Sequence, residues 1–368
     1  MGVPASLMGR LAVYDAPNAP FEIRLFPVRA PRRGEVLVKI RMSTICRSDI
    51  HSWLGHRPNP CPGVLGHEII GTIVSLGEGI THDMRGEPLA EGDRITWSEY
   101  FIPGGSYFTE VLDLQQKSPG VDKYGHMAAT TEPHHHGGFG EYCYVLPQSW
   151  ILKLPADLTD EEATPVNCGV ATMVCVTEQA EVGLGDAVVV QGLGLLGLYG
   201  AALSKGRGAR LVIGLDTVAA RRELGLAFGC DVVLDPSAMT EDALVEAVRS
   251  RCRPDGADAV LEVCGYPSVI PAGIRMLRTG GRYAFAGVVN PGSEVTIDAN
   301  LVLRKLLTLR GVHNYHPRHL VQALDFVHAN RGRFPFHALV DGKYGLDEVG
   351  RAMKDAEARM VLRAAIVP

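Results

Sequence analysis

Residue types that bind divalent cations gather in a short window of this sequence. Cys46 is followed by Ser48, Asp49 and His51, and about twenty residues later come Gly66, His67 and Glu68. Thiolate, imidazole and carboxylate are the donors of catalytic zinc, which takes three protein ligands and keeps a further position for water or substrate. Cys46 and His67 are candidates for two such ligands, and one more is wanted. Cys168 can supply it, because it lies where a β-rich texture gives way to a dinucleotide-binding one. Taken alone, Cys46 reads as a small buried hydrophobe and His67 as a structural histidine; the glycine pattern further along changes that reading.

Gly192, Gly194 and Gly197 form Gly-x-Gly-x-x-Gly between the apolar run Ala187 to Gln191 and a stretch rich in Ala and Leu. Strand, loop and helix in that order read as a dinucleotide fingerprint. Gly192 permits the tight turn, Gly194 lets the backbone approach a pyrophosphate, and Gly197 lets helix pack on strand, with the phosphates at the helix N-terminus. The next expected strand, Leu211 to Leu215, ends in Asp216. A carboxylate there would accept hydrogen bonds from the adenosine ribose and repel a 2′-phosphate, so NAD is expected, while nearby Arg221 and Arg222 leave NADP open. Gly192, Gly194, Leu195, Gly197, Asp216 and Arg221 are the expected cofactor-binding residues.

Two scaffolds must position these groups. From about Leu11 to Asp113 the chain shows short β-branched runs broken by Gly and Pro: Val36 to Ile40, Ile69 to Leu76 and Arg94 to Trp97. After Pro155, strand candidates at Ala187 to Gln191, Leu211 to Leu215, Val232 to Leu234, Ala259 to Val263 and Arg282 to Ala286 alternate with helix-length segments, which implies a doubly wound parallel sheet. A last strand is expected near Leu306 to Val312, and the tail from Tyr315 is expected to rejoin the first domain. A chain of 368 residues exceeds what one core usually holds. Its net charge of -5, with Arg and Lys scattered, gives no footprint for nucleic acid. Ala187 to Leu203 is free of charge but carries Gln191 and four glycines, so it reads as strand, turn and helix rather than a membrane span. No basic region followed by an apolar run opens the sequence, so a cytoplasmic location is expected, and the eight cysteines read as thiols or ligands rather than a disulfide framework.

Cys46 to His51, then Gly66 to Glu68, then Cys168 to Thr172, then the glycine loop, resemble the zinc-dependent medium-chain dehydrogenase family in order and spacing, over essentially the whole chain. The resemblance implies an α/β protein: a GroES-like catalytic domain at 1–168 and 315–368 around a Rossmann NAD-binding domain at 169–314. It implies Cys46, His67 and Cys168 as zinc ligands and Glu68 as a carboxylate that touches the metal transiently. Ser48 and His51 match a proton relay, Asp49 a carboxylate that orients His67, and Thr172 a residue packing on the nicotinamide. It also implies a homodimer or homotetramer joined through the last strands of the Rossmann sheet. Many members carry a second, structural zinc on four cysteines after the strand corresponding to Arg94 to Trp97; Ser98 to His126 here holds no cysteine. Such a zinc is expected to be absent, and the lobe to be held by Tyr100, Phe101, Tyr107 and Phe108. His134, His135 and His136 are expected on a solvated or substrate-facing loop. Gly311 to Tyr315, with Arg57 and Pro58, resemble a subgroup associated with phosphonate metabolism, which points to a polar or anionic substrate.

The expected function is therefore a zinc-dependent dehydrogenase that moves a hydride between an alcohol, polar, polyol or phosphonate-bearing, and NAD. Two other readings stay open on sequence: a zinc-free enone or quinone reductase on the same scaffold, and an NAD-binding protein without enzymatic activity.

Overall fold

Apolar residues at alternating positions build the first sheet. In the strand Val36–Thr44 only Lys39 and Arg41, two positions apart on one face, reach solvent. This computed structural model describes residues 3–4, 6–252, 254–289 and 291–368. Met1, Gly2 and Ala5 of the expected catalytic segment, and Arg253 and Asn290 of the expected Rossmann segment, lie outside the described residues.

The chain divides into two units. One runs to Cys168 and includes His316–Arg331 and Phe336–Pro368; the other comprises Gly169–Tyr315 and Gly332–Pro335. In the first, the strands Ile151–Lys153, Arg94–Trp97, Glu68–Leu76, Val36–Thr44, Ala364–Val367 and Gly342–Gly345 follow one another across a sheet, with Tyr142–Val145 also pairing with Val36–Thr44. All these pairs are antiparallel except the last two strands of the path. The strand expected to end at Ile40 continues to Thr44, because Met42, Ser43 and Thr44 pair with Ile70, Ile69 and Glu68. That register ends the strand two residues before Cys46 and sets Thr44 opposite Glu68. A smaller sheet joins Glu22–Pro27, Met8–Tyr14 and Gly63–Val64.

The second unit holds six parallel strands in the order Val232–Leu234, Leu211–Leu215, Ala187–Gln191, Ala257–Glu262, Leu277–Phe285 and Thr308–Gly311. Numbered along the chain this is 3-2-1-4-5-6, the Rossmann order. Val188, Val189 and Val190 are fully buried, as a central parallel strand covered on both faces requires. The last strand is shorter than Leu306 to Val312, because Leu306 has φ +53°, outside the β region. Among the described residues no helix is long and apolar enough to cross a membrane.

Two expectations about the surface change. Tyr107 and Phe108 do not hold the lobe after Arg94–Trp97: they are 63% and 39% exposed, on a helix of four residues with no buried face. Tyr100 is fully buried instead, and Phe101 and Trp97 meet the ring of Tyr124 edge-on. Nor is the histidine run solvated, since His135 and His136 are fully buried. The adjoining glycines are tightly packed, a Cβ on Gly138 meeting Ser43 Oγ at 2.1 Å and one on Gly137 meeting Leu65 O at 2.9 Å. His136 Nε2 lies 3.0 Å from Ala128 O and His135 Nε2 3.4 Å from Phe26 O, while both Nδ1 atoms lack partners among the described residues, the pattern of neutral rings.

Burial pushes His135 and His136 down to about 4. An unfolded histidine titrates near about 6.5, so between those values the unfolded chain binds more protons. Stability is then full above about pH 6.5 and falls as pH drops toward 4, by up to about 3 kcal/mol per ring. Urea unfolding across that range should show this slope, and His135→Asn or His136→Asn should flatten it. A slope unchanged in both variants would place its origin elsewhere.

Candidate metal centre and cofactor loop

The centre is assembled around one buried carboxylate. Asp49, fully buried, stands in the first turn of the helix Arg47–Trp53. Its Oδ2 accepts from Cys46 N–H at 2.8 Å, closing the helix start, while Oδ1 accepts from Gly66 N–H at 3.1 Å and from His67 Nδ1 at 3.2 Å. With Nδ1 committed to Asp49, the Nε2 lone pair of His67 is left for another partner. Gly66 reaches this turn with φ +89°, a conformation other residues rarely adopt. Cys168 follows a short 3-10 turn, Thr164–Asn167. The Asn167 amide donates to His67 O at 3.0 Å and to Trp97 O at 2.9 Å, fixing that turn beside the histidine.

Ligand atoms of Cys46, His67, Glu68 and Cys168 all lie within 4.8 Å of one another. Two thiols, an imidazole and a carboxylate at that spacing fit a zinc ion. Protons are shared unevenly among these donors, since the Cys168 thiol is raised well above its usual range by its hydrogen bond with Cys46 and by burial. The Cys46 thiol is held well below its usual range by its hydrogen bond with Cys168, against burial and helped by His67 and Arg363, as a ligand that must be deprotonated requires. Burial works against protonation of His67, yet the Asp49 carboxylate holds it well above the usual histidine range. Burial pushes Glu68 up to about 7, with Arg363 opposing. Glu68 also accepts from the Thr44 hydroxyl.

Ser48 and His51 lie one turn apart on the same helix face. Ser48 Oγ is 3.5 Å from His67 Nε2, and His51 Nδ1 is 3.4 Å from Nδ1 of exposed His56. Beside them, His126 stacks on His67 at 5.9 Å and its Nδ1 meets Asn59 Oδ1 at 2.9 Å. Arg57, half-buried, donates its backbone N–H to His51 O at 3.2 Å and has no ion-pair partner among the described residues.

In the second unit, Gly192 has φ +97°, and a Cβ there would meet Cys264 at 2.6 Å. A Cβ on Gly197 would lie 1.8 Å from Gly192 O, so helix and loop approach too closely for any side chain. Gly194 faces open space and caps the helix Leu195–Gly206. Asp216 accepts from Leu193 N–H and Val218 N–H, both at 2.8 Å, which leaves each oxygen a second lone pair. Arg221 lies 3.9 Å from that carboxylate, whereas Arg222 is engaged with Asp235 at 3.0 Å. Thr172 is half-buried on the helix Gly169–Gln179.

Comparison with known proteins decides the family. Residues 32–156 match the alcohol dehydrogenase GroES-like domain and residues 196–329 the zinc-binding dehydrogenase domain. The chain is 32% identical over 302 residues to L-threonine 3-dehydrogenase of Pyrococcus horikoshii, covering 78% of each. The chain belongs to the zinc-binding alcohol dehydrogenase family. It is 29% identical to sorbitol dehydrogenase of Halalkalibacterium halodurans, over 93% of this chain and 95% of that one. An alcohol dehydrogenase of Thermotoga maritima has the same fold at TM-score 0.94 and 27% identity, covering 99% of this chain and all of that one. As a zinc-binding alcohol dehydrogenase, the protein is an NAD-dependent oxidoreductase of the alcohol type, working with zinc on a small molecule.

Within this dehydrogenase several residues do work that the sequence did not single out. Arg363, buried on the C-terminal arm, donates to Glu68 Oε1 at 3.1 Å and to Ile45 O at 2.6 Å. Glu262, fully buried at the end of its strand, accepts from the N–H groups of Cys264, Gly265 and Gly287, tying two loops together next to the glycine turn. Nothing in the local pattern marks either residue, because each acts on groups remote in sequence or as a plain strand-end carboxylate.

Removing Arg363 leaves Glu68 buried without its counter-charge, which typically costs about 3–5 kcal/mol. Arg363→Met should lose stability on that order in urea unfolding, and adding Glu68→Gln should restore a large part of it. Strict additivity of the two losses would show that the pair is not coupled.

Proposed function

We propose that the protein oxidises a polar alcohol, or reduces the matching carbonyl, with Cys46, His67 and Cys168 holding one catalytic zinc, Glu68 beside it, and NAD held by the glycine loop. The observation that carries this reading is the convergence of two thiols, an imidazole and a carboxylate within 4.8 Å. When bound, zinc supplies a Lewis acid that lowers the pKa of a hydroxyl, and NAD supplies the hydride acceptor. Every other task falls to the chain itself.

Asp49 keeps His67 in the tautomer that presents Nε2 and strengthens it as a donor. Ser48 accepts the hydroxyl proton while releasing its own toward His51, one turn on, which carries it outward past exposed His56. Gly192, Gly194 and the helix starting at Leu195 hold the pyrophosphate, and Gly197 lets that helix sit close to the loop. Asp216 accepts from the adenosine ribose; its charge, with Arg222 already engaged, favours NAD over NADP, while Arg221 steadies the carboxylate. Thr172 packs on the nicotinamide. The catalytic domain on this reading is 1–168 with 315–368, and the cofactor domain 169–314.

Arg57, without a carboxylate partner among the described residues, sets positive charge near His126. This supports a substrate with polyol or anionic groups, including a phosphonate. The sorbitol dehydrogenase likeness points the same way. A metal-free enone reductase would have no use for the thiol pair with Ser48 and His51. The strand Thr308–Gly311 stands at the end of its sheet, near Leu303 and Leu306 at 70% and 74% exposure; such an edge supports a homodimer or homotetramer. A cytoplasmic location belongs to the same proposal.

NADH formation across polyols, hydroxy acids and phosphonate-bearing alcohols tests this reading. Ser48→Ala should lower turnover on the best substrate by about 10²–10⁴-fold with NADH binding by fluorescence unchanged. Arg57→Leu should raise KM more for charged alcohols than for neutral ones. No alcohol-dependent NADH with any member of the panel would end the proposal, and full turnover in Ser48→Ala would end the proton path.

A further inference from the structure

Glu99 stands outside the set of four donors, yet it faces them. The backbone around it is fixed by the ladder of Tyr100–Phe101 against Asp122–Lys123, and by Tyr124 N–H donating to Glu99 O at 3.1 Å. The same turn delivers His126 to the face of His67. The Glu99 side chain is buried, 2% exposed. Its Oε2 lies 3.7 Å from His67 Nε2, and Oε1 lies 3.4 Å from Lys123 Nζ.

Nε2 is the ring atom that Asp49 leaves available, so Glu99 approaches His67 on its ligand side. A separation of 3.7 Å is too long for a hydrogen bond. It is close to the spacing of two donors on one ion: bonds of about 2.0–2.2 Å at a tetrahedral angle put the donor atoms about 3.4 Å apart. A buried carboxylate beside an imidazole and a thiol adds negative charge to a place already rich in acidic donors, and a cation among them offsets that cost.

We propose that Glu99 is a further donor of the metal centre, a carboxylate that binds the same ion as Cys46, His67 and Cys168 and raises its affinity, with Lys123 as counter-charge. This rests on the zinc reading above. Zinc can expand from four ligands to five, so with Cys46, His67, Cys168 and Glu99 bound a position remains for substrate while Glu68 stays beside the ion. The lobe without cysteines then serves the catalytic centre by delivering Glu99.

The test uses the full-length protein loaded with cobalt(II), whose d–d bands report coordination and whose thiolate charge-transfer band reports cysteine ligation, together with zinc release to a chromogenic chelator. Wild type should bind one cobalt with a charge-transfer band, weakened in Cys46→Ser, where Cys168 remains, and lost in the double variant Cys46→Ser, Cys168→Ser; failure of that arm overturns the zinc reading itself. Glu99→Gln keeps the shape and should keep the charge-transfer band. Its d–d bands should change, and it should hold zinc about 10–100-fold more weakly. Identical d–d bands and zinc affinity in Glu99→Gln, beside a thermal shift equal to that of Lys123→Met, would overturn the proposal and leave Glu99 as the partner of Lys123.

Discussion

Asp49 is the constraint on which the site depends. One carboxylate, without solvent contact, closes the start of the helix Arg47–Trp53 at Cys46, holds the turn at Gly66 and fixes the ring of His67. These groups come from separate stretches of chain, so a single buried acceptor sets their relative positions. Buried charge is tolerated only where every acceptor finds a donor, and three donors meet Asp49. The chemistry depends on that anchoring: Nε2 of His67 is aimed, Cys46 stands at the helix start, and Asn167 brings Cys168 alongside.

Charge around the centre is only partly paired. Glu68 is met by Arg363 and the Thr44 hydroxyl, Glu99 by Lys123, and the Cys46 thiol by His67 and Arg363. Acidic and thiol groups outnumber the cations facing them, which is the electrostatic signature of a place for a divalent ion. The second unit solves a different problem with backbone alone. Gly192 and Gly197 remove side chains where loop and helix touch, and Glu262 fastens the neighbouring loops. On the proposed reading, an anion there meets the N–H groups of a helix start rather than a side-chain charge.

Much of this was legible in the sequence because it is local. The glycine pattern, the strand before it and the carboxylate at the end of the next strand all reflect spacing within one supersecondary unit. The parallel sheet was readable for the same reason, through apolar runs such as Ala187–Gln191. Arg363, Asn167, Glu262 and Glu99 were not readable, since each matters through a partner brought near by tertiary folding. The histidine run misled because flanking glycines suggested a solvated or substrate-facing loop, whereas Gly137 and Gly138 are there to let backbone pack against Leu65 and Ser43. Tyr107 and Phe108 misled in the opposite sense: aromatic residues suggest a core, but a four-residue helix presents no face to bury.

Metal content measured on the purified protein addresses the central claim most directly. Elemental analysis should find about one zinc per chain, falling to a small fraction in Cys46→Ser while the fold, followed by circular dichroism, persists. Absence of zinc from the wild type after purification in zinc-containing medium, or zinc retained in full by Cys46→Ser, would contradict it.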